Sequence, residues 1–508
     1  MRRRVAAAAS VVAAAALLGA CGSAAARTGP IGPWDWPTYG HDAQHSFHGR
    51  TTLTATQAAQ LKTAWFFPTK DAVTATPTVV NGTVYAGSWD GWFYAVGLRS
   101  GTLRWKFRLR RQPAVTPFPG EVPRDISSDG GIVTSSAWYE PASENRPDMV
   151  IFGGGYTLYG LDADNGQLIW AHDYPGRPGA PPDPATDDTR IFSSPVVVGD
   201  KVIFGVDVDG RHGKRGYIAA ASLANGKPVW EFQTDVGGHG QVLNDGCGSV
   251  WSSGTVLPKE HLVVFDVADC RFSNPPPLAE TVLALHVNTG KLAWTYRPGR
   301  QDGRCDQDFG ATVNGGLDRQ GNADFLGVGG KDGTYYVLNP ANGHLRWKTN
   351  VVFGGFAGGF IATTAYDGAH VVGATALGDF GRFEGNHEVF CDPGNPLDLP
   401  RQEPSDHAFD AKTGKVIWQV SNAFSFAPTT IAGPFTFNCP GFGGVVTVRR
   451  VSDGTVVAQP TLPADCWAGV ATVGDALILG TGTSTKGQPA GLVALTPNGS
   501  RPKVPSTR

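Results

Sequence analysis

Along most of the chain, short apolar runs alternate with glycine-centred turns, and few stretches place apolar residues at helical spacing. The pattern predicts many short strands joined by hairpins. Ala75 to Val80 leads through Asn81-Gly82 into Thr83 to Gly87, and Asp90-Gly91 opens the next strand, Phe93 to Val96. Ser193 to Val198 leads through Gly199-Asp200 into Lys201 to Phe204, and Trp251 to Val256 is followed by Leu262 to Phe265. Asn-Gly and Asp-Gly pairs favour the positive φ angles of tight hairpins. A small polar run stands ahead of each first strand.

A longer phrase repeats over this alternation. Its clearest copy is Gly160 to Trp170, in which a strand end meets Asn165-Gly166 and a second strand starts towards tryptophan. Copies end at Trp105, Trp230, Trp294, Trp347 and Trp418, so the six tryptophans lie 53 to 71 residues apart. Val448 to Ala458 keeps Asp453-Gly454 without the tryptophan, and the last copy keeps Asn498-Gly499. A period of this size denotes stacked supersecondary units that bury their faces against one another. The large flat indole suits a seam between neighbours. Four strands in each of eight repeats predict an all-β, eight-bladed β-propeller. Leu61 to Phe67 carries Trp65 at the tryptophan position with no phrase before it. This N-terminal strand is therefore expected to complete the last blade and close the ring.

The first 33 residues break the pattern. Arg2 to Arg4 precede an apolar run, Val5 to Leu18, too short to span a bilayer but suited to a signal peptide. Leu18-Gly19-Ala20-Cys21 resembles a bacterial lipobox, so residues 1–21 are read as a lipoprotein signal with Cys21 as the lipidated residue. Ordinary cleavage near Ala24 to Ala26 is the alternative, and export is expected either way. Residues 22–33 form a Gly/Ala/Pro-rich tether, and 34–508 form the propeller. Membrane attachment is expected through the lipid alone, on the outer side of the cell membrane.

Composition narrows the function. Lys plus Arg number 42 against 44 Asp plus Glu, and Arg108 to Arg111 is the longest basic run, too little for a nucleic-acid surface. Six cysteines remain beyond Cys21, an even number that reads as disulfides in an exported chain. Tracing the strands puts all six in loops at one mouth. It favours Cys247–Cys270 within a blade and Cys439–Cys466 between the last two, and leaves Cys305–Cys391. Neither a Cys-x-x-Cys pair nor a GxSxG or Walker-type loop occurs.

The repeat resembles that of the pyrroloquinoline-quinone (PQQ) propellers, the quinoprotein alcohol dehydrogenase-like family, and within it polyvinyl-alcohol-dehydrogenase-type proteins. The similarity rests on Asp35 to Asp42, Gly87 to Gly91, Gly246 to Ser253, Asp308 to Thr312 and Gly329 to Thr334. It implies an oxidoreductase that oxidises an alcohol or a hydroxylated polymer with PQQ and calcium at one channel mouth. Two features depart from the family. The adjacent cysteine pair of many such enzymes is missing, and there is no haem attachment motif. Electrons would then pass to a separate acceptor. The alternative is a non-catalytic, lipid-anchored scaffold that binds envelope proteins.

The loops leading into the innermost strands carry the candidate chemistry. Arg124 and Arg190 are expected to clamp cofactor carboxylates with their planar forks, and Trp251 or Trp467 to stack on the flat ring. Asn244 and Asp245 would offer oxygen to Ca²⁺. Asp306 or Asp308 would accept the alcohol proton. Asp71, Asp125, Asn422 and Asp465 share the same rim by position. His41, His45 and His48 are expected to be structural, and Asp207-Val-Asp209-Gly lacks the distal acid of a calcium loop. Replacing Cys21 with Ser should release the protein into the medium, as followed by fractionation. Unchanged membrane association would contradict the lipid anchor.

Overall fold

The computed structural model describes residues 30–110, 133–176, 189–208, 215–234, 248–268, 277–299, 308–352, 358–376, 404–483 and 487–506. Cys21, Arg124, Asn244, Asp245, Asp306 and the cysteines at 247, 270, 305 and 391 lie outside these residues.

Eight antiparallel sheets stand around a central channel. Blade 1 runs outward from Thr78–Val80 through Thr83–Gly87 and Trp92–Gly97 to Leu103–Arg108. Later blades repeat this order, with innermost strands at Trp138–Glu140, Val196–Val198, Thr255–Leu257, Asn314–Leu317, Ala365–Tyr366, Thr430–Ala432 and Ala471–Val473. Blade 8 takes its outer strand from the N-terminus. Leu61–Pro68 pairs antiparallel with Gly491–Pro497, and Trp65 faces Ala494. This closure is the one expected from Trp65. One short helix, Ala55–Ala58, is present among the described residues.

The repeated phrase proves to be a docking device between blades. Its eight glycines, at 101, 166, 226, 290, 343, 414, 454 and 499, all have φ between 65° and 73°. That left-handed conformation is cheap only for glycine. At Gly226 a Cβ would also stand 2.5 Å from Cε3 of Trp170, on the preceding blade. Trp65, Trp105, Trp170, Trp230, Trp294, Trp347 and Trp418 each lie on the turn glycine of the following blade. Each also donates its indole N–H to a carbonyl of that turn at 2.7–3.1 Å. The eighth seam, between blades 7 and 8, has Ala458 where tryptophan would stand. There Leu53, Ala58 and Leu61, from the N-terminal helix and its flanks, pack with Ala458. Thr54 and Gln57 close a capping box on that helix.

The small polar runs ahead of the first strands form a belt at the hub. The backbone N–H of Ser136 donates to Ser194 Oγ at 3.0 Å, Ser194 to Ser253 at 2.9 Å, Ser253 to Thr312 at 3.0 Å and Thr312 to Thr363 at 3.2 Å. Gly469 donates to Thr76 in the same way. Two residues further on, side chains bond carbonyls of the next blade: Thr78 to Ala137, Asn314 to Thr364 and Thr430 to Val470, at 2.6–2.7 Å. These bonds satisfy backbone groups that would otherwise be buried unpaired.

Residues 36–49 enter the channel. Trp36 exchanges backbone bonds with Val79, and Pro37, Ala43, Gln44, Ser46 and Phe47 accept from Tyr139, Val256, Gly315, Tyr366 and Ile431. His48–Gly49 then pairs parallel with Ile431–Ala432 of blade 7. The histidines are part of this plug. His45 is fully buried with its ring nitrogens 2.8 Å from Tyr39 O and 2.9 Å from Gly254 O, and burial holds its pKa below the usual imidazole value. The Cys439–Cys466 disulfide joins blades 7 and 8 as expected, with Cα atoms 5.8 Å apart.

Replacing Trp170 by Ala removes a nearly buried indole and its bond to Leu223 O. It should cost about 3–5 kcal/mol, read as a lowered midpoint of denaturant unfolding. The neighbouring Ile169→Ala, at a 39% exposed position, should change stability by under about 1 kcal/mol.

Candidate functional site at the channel mouth

The belt gives the rim a common register. Four residues before each belt hydroxyl, a carbonyl accepts from the N–H of a residue just past the end of the second strand. The pairs are Trp89 to Ala72, Asp207 to Arg190, Ala268 to Ser249, Lys331 to Asp308 and Ala376 to Gly359, at 2.8–2.9 Å. On blades 7 and 8 Gly441 donates to Phe424 and Gly482 to Asp465 in the same manner. Arg190, Ser249 and Asp308 therefore hold equivalent rim positions on consecutive blades 3, 4 and 5. Trp251 sits two residues past Ser249.

Blade 5 turns this pair of rim positions into an ion pair. Lys331 Nζ lies 2.8 Å from Asp308 Oδ1, with the two side chains only 9% and 2% exposed. The same ammonium stands 5.3 Å from the ring centroid of Trp251 on blade 4, within reach of a cation–π attraction. Trp251 is half-buried, so part of its surface remains open. Asp308 and Trp251, both expected from the sequence, are brought together through Lys331, which was not among the expected residues. The available signal was the position of Lys331 inside Gly329 to Thr334, directly after a buried strand.

Asp266 is the second residue missed. It ends the buried strand Leu262–Asp266, an acid closing an otherwise apolar run. Neither carboxylate oxygen has a hydrogen-bond partner at ordinary geometry. Burial raises its pKa well above the usual carboxylate range, Ser252 opposes that shift, and the charge of Asp308 adds to it. The Ser252 hydroxyl also bonds the Asp266 backbone carbonyl at 3.1 Å, so its help to the carboxyl is weak. Burial and the nearby Asp308 charge thus both act against ionisation of Asp266, as when like charges share a buried site. Tyr39 of the plug reaches the same region. Its hydroxyl is 2.8 Å from Thr363 Oγ1. Burial pushes its pKa up to about 12, with the Thr363 and Thr312 hydroxyls lowering it and Asp266 raising it.

Arg190 is 6% exposed, and its guanidinium lies 5.2 Å from the ring of Phe192. Trp467 belongs to blade 8 and meets Phe426 edge-on at 5.4 Å, beside the Cys439–Cys466 disulfide. Blade 8 lies across the channel from the blade that carries Trp251. Asp465 clamps its own rim, accepting from Gly443 and Gly444 at 2.8 and 2.9 Å and from Gln488 at 2.7 Å. Asn422 donates to Asp406, which also accepts from Arg449 at 2.6 Å. Both are structural in these bonds. Asp71 Oδ1 accepts the N–H of Ala72.

The blade 4–5 site offers an open indole surface, an ammonium at its edge, and a buried carboxylate paired with that ammonium. A flat π-system carrying an oxygen matches this set, and the carboxylate can receive a proton from a group held against it. Among the described residues no group of three or more His, Cys, Asp and Glu forms a metal site.

Comparison with known proteins bears on the family and the fold. Residues 36–351 match the β-propeller domain of glucose, ethanol and alcohol dehydrogenases, and residues 278–466 match the outer membrane protein assembly factor BamB. A polyvinylalcohol dehydrogenase from a Sphingopyxis species is 21% identical over 74% of this chain and 57% of its own length. The chain thus spans little more than half of that relative. The quinohemoprotein alcohol dehydrogenase of Comamonas testosteroni superposes with a TM-score of 0.69 at 18% identity, covering 93% of this chain and 82% of the other. BamB of Moraxella catarrhalis reaches 0.53 at 13% identity over 86% of this chain and 99% of its own. With more than half its length matched by one family and its eight blades superposing on that fold, the chain belongs to the PQQ-type dehydrogenase β-propellers.

Proposed function

We propose that the protein is an exported PQQ-dependent oxidoreductase that oxidises an alcohol or a hydroxylated polymer. The observation that carries this reading is the Asp308–Lys331 ion pair set against the partly open ring of Trp251. The residues present fit a flat carboxylated quinone, because indole stacks on such a ring and an ammonium favours its oxygens.

When bound, the quinone would supply the two-electron acceptor. The chain's own residues do the remainder. Trp251 orients the plane of the ligand. Lys331 keeps Asp308 ionised and, with three donor positions, can also hold a ligand oxygen. Asp308 takes the hydroxyl proton of the alcohol as its carbon is oxidised, a general-base role. Asp266, whose pKa burial raises, stands near Asp308, which pairs with Lys331. A calcium ion, if bound, would draw on the predicted ligands Asn244 and Asp245, which lie outside the described residues; no step is assigned to it. Electrons leave to a separate acceptor.

The match of residues 278–466 to BamB supports a second reading, a lipid-anchored scaffold for envelope proteins. One experiment separates the two. PQQ and Ca²⁺ are added to the purified full-length protein, and binding and dye reduction are measured with a panel of alcohols. Turnover that falls by about 100- to 10,000-fold in Asp308→Asn, with PQQ still bound, is the expected outcome for the enzyme. Asp306→Asn is the parallel variant. Failure of the unaltered protein to bind PQQ at micromolar concentration would remove the enzyme reading and leave the scaffold.

A further inference from the structure

Asp266 stands where much of the propeller uses glycine. Its position is two residues before the N–H that bonds the rim carbonyl of its own blade. Blades 1, 3, 5 and 8 place Gly87, Gly205, Gly329 and Gly480 there. The reason lies in the next blade, since a Cβ on these glycines would run into Val133, Val250, Phe360 and Val73. Each of those four stands three residues ahead of its own belt position. The blade 5 residue at that place is Phe309, which packs with Val264 and Val282 of blade 4. Val282 is in turn the cross-strand partner of Asp266. Blade 4 therefore inserts a carboxyl into a seam where four other blades admit no side chain.

The surroundings oppose a charge at this point. Asp266 is fully buried, and neither carboxyl oxygen has a partner at ordinary geometry. The Ser252 hydroxyl is engaged with the Asp266 backbone carbonyl. Two titratable groups face Asp266: Asp308 on blade 5, itself paired with Lys331, and Tyr39 of the plug. Phe309 follows Asp308 directly in the chain, so the seam and the rim carboxylate are fixed together. Asp308 has the opposite difficulty. Its ammonium partner at 2.8 Å favours the ionised form, which weakens it as a proton acceptor. A second carboxyl in the same buried seam counters that effect, because like charges raise each other's affinity for a proton.

We propose that Asp266 is a positioning residue for the base: Asp266 and Asp308 hold one proton between them, and the charge that Asp266 takes on when this proton leaves makes Asp308 the stronger acceptor. The proposal rests on the enzyme reading above and deepens it, because turnover then depends on the ionisation of a pair. Such a pair titrates in two steps that belong to both groups.

The test compares the full-length parent with Asp266→Asn, which keeps the shape, and Asp266→Gly, which installs the residue that other blades use. In protein loaded with PQQ and Ca²⁺, the acid limb of kcat/KM for an alcohol should move to lower pH by about 1 unit or more in both variants. The rate at high pH should fall as the base weakens. A uniform loss at every pH, with the limb unmoved, would assign Asp266 to structure and overturn the proposal. The second readout needs no cofactor: denaturant unfolding between about pH 4 and 8. In the unfolded chain an aspartate releases its proton near its ordinary value of about 4. A carboxyl whose pKa folding raises keeps its proton above that value, so its contribution to stability falls as the pH rises. The parent should therefore lose stability relative to Asp266→Asn as the pH rises, and the total loss should shrink when both proteins carry Asp308→Asn. A difference independent of pH, or one untouched by Asp308→Asn, would overturn the proposal. If the coupling appears but the unaltered protein neither binds PQQ nor turns over, the enzyme reading falls and the role at the base falls with it, while the carboxyl pair stands.

Discussion

The indole of one blade lying on the turn glycine of the next is the contact on which the rest of this protein depends. A four-stranded blade cannot bury both faces by itself, so its stability comes from its neighbours. Each tryptophan covers the next hairpin and bonds one of its carbonyls, which fixes the height and angle of that blade. The glycine is required twice over, for its left-handed backbone and for the space the ring occupies. Where blade 7 lacks the tryptophan, the N-terminal helix and its flanks fill the seam. The ring is therefore closed twice by one stretch of chain, by the strand Leu61–Pro68 and by the helix before it.

Closure at the periphery sets the register at the hub. Because every blade stands at the same height, the Ser and Thr residues ahead of the first strands meet N–H groups of the preceding blade. The rim above this belt has one position per blade, and its chemistry is whatever residue each repeat supplies there. On blades 7 and 8 the surrounding bonds are spent on holding loops together. On blades 3 to 5 charged and aromatic side chains are buried with their bonding incomplete, as in Arg190 and Asp266.

The same architecture serves enzymes and assembly factors, as the matches to dehydrogenases and to BamB illustrate. Fold alone does not decide between them. The enzyme reading rests on a few side chains: an ion pair with almost no exposure, and an indole kept partly open beside it. The plug of residues 36–49 contributes from the other direction. It fills the channel and sends Tyr39 towards Asp266 and Thr363.

Much of this was legible in the chain. The Asn-Gly and Thr-Gly turns followed by tryptophan, such as Asn225-Gly226 to Trp230, determine hairpins, their number and the seams between them, because turn geometry and strand alternation are local properties. Trp65 without a preceding phrase was enough to assign the closing strand. Cys439 and Cys466 could be paired because the tracing put them in loops at one mouth of the last two, adjacent blades. Asp308 and Trp251 were visible as residue types leading into strands, whereas their meeting through Lys331 was not. Lys331 reaches Trp251 across a blade boundary and 80 residues of chain. The unsatisfied state of Arg190 and the raised pKa of Asp266 were equally hidden, because burial and missing partners belong to no single residue. Sequence determined the repeated unit; only the closed ring decided which side chains were left facing one another without water.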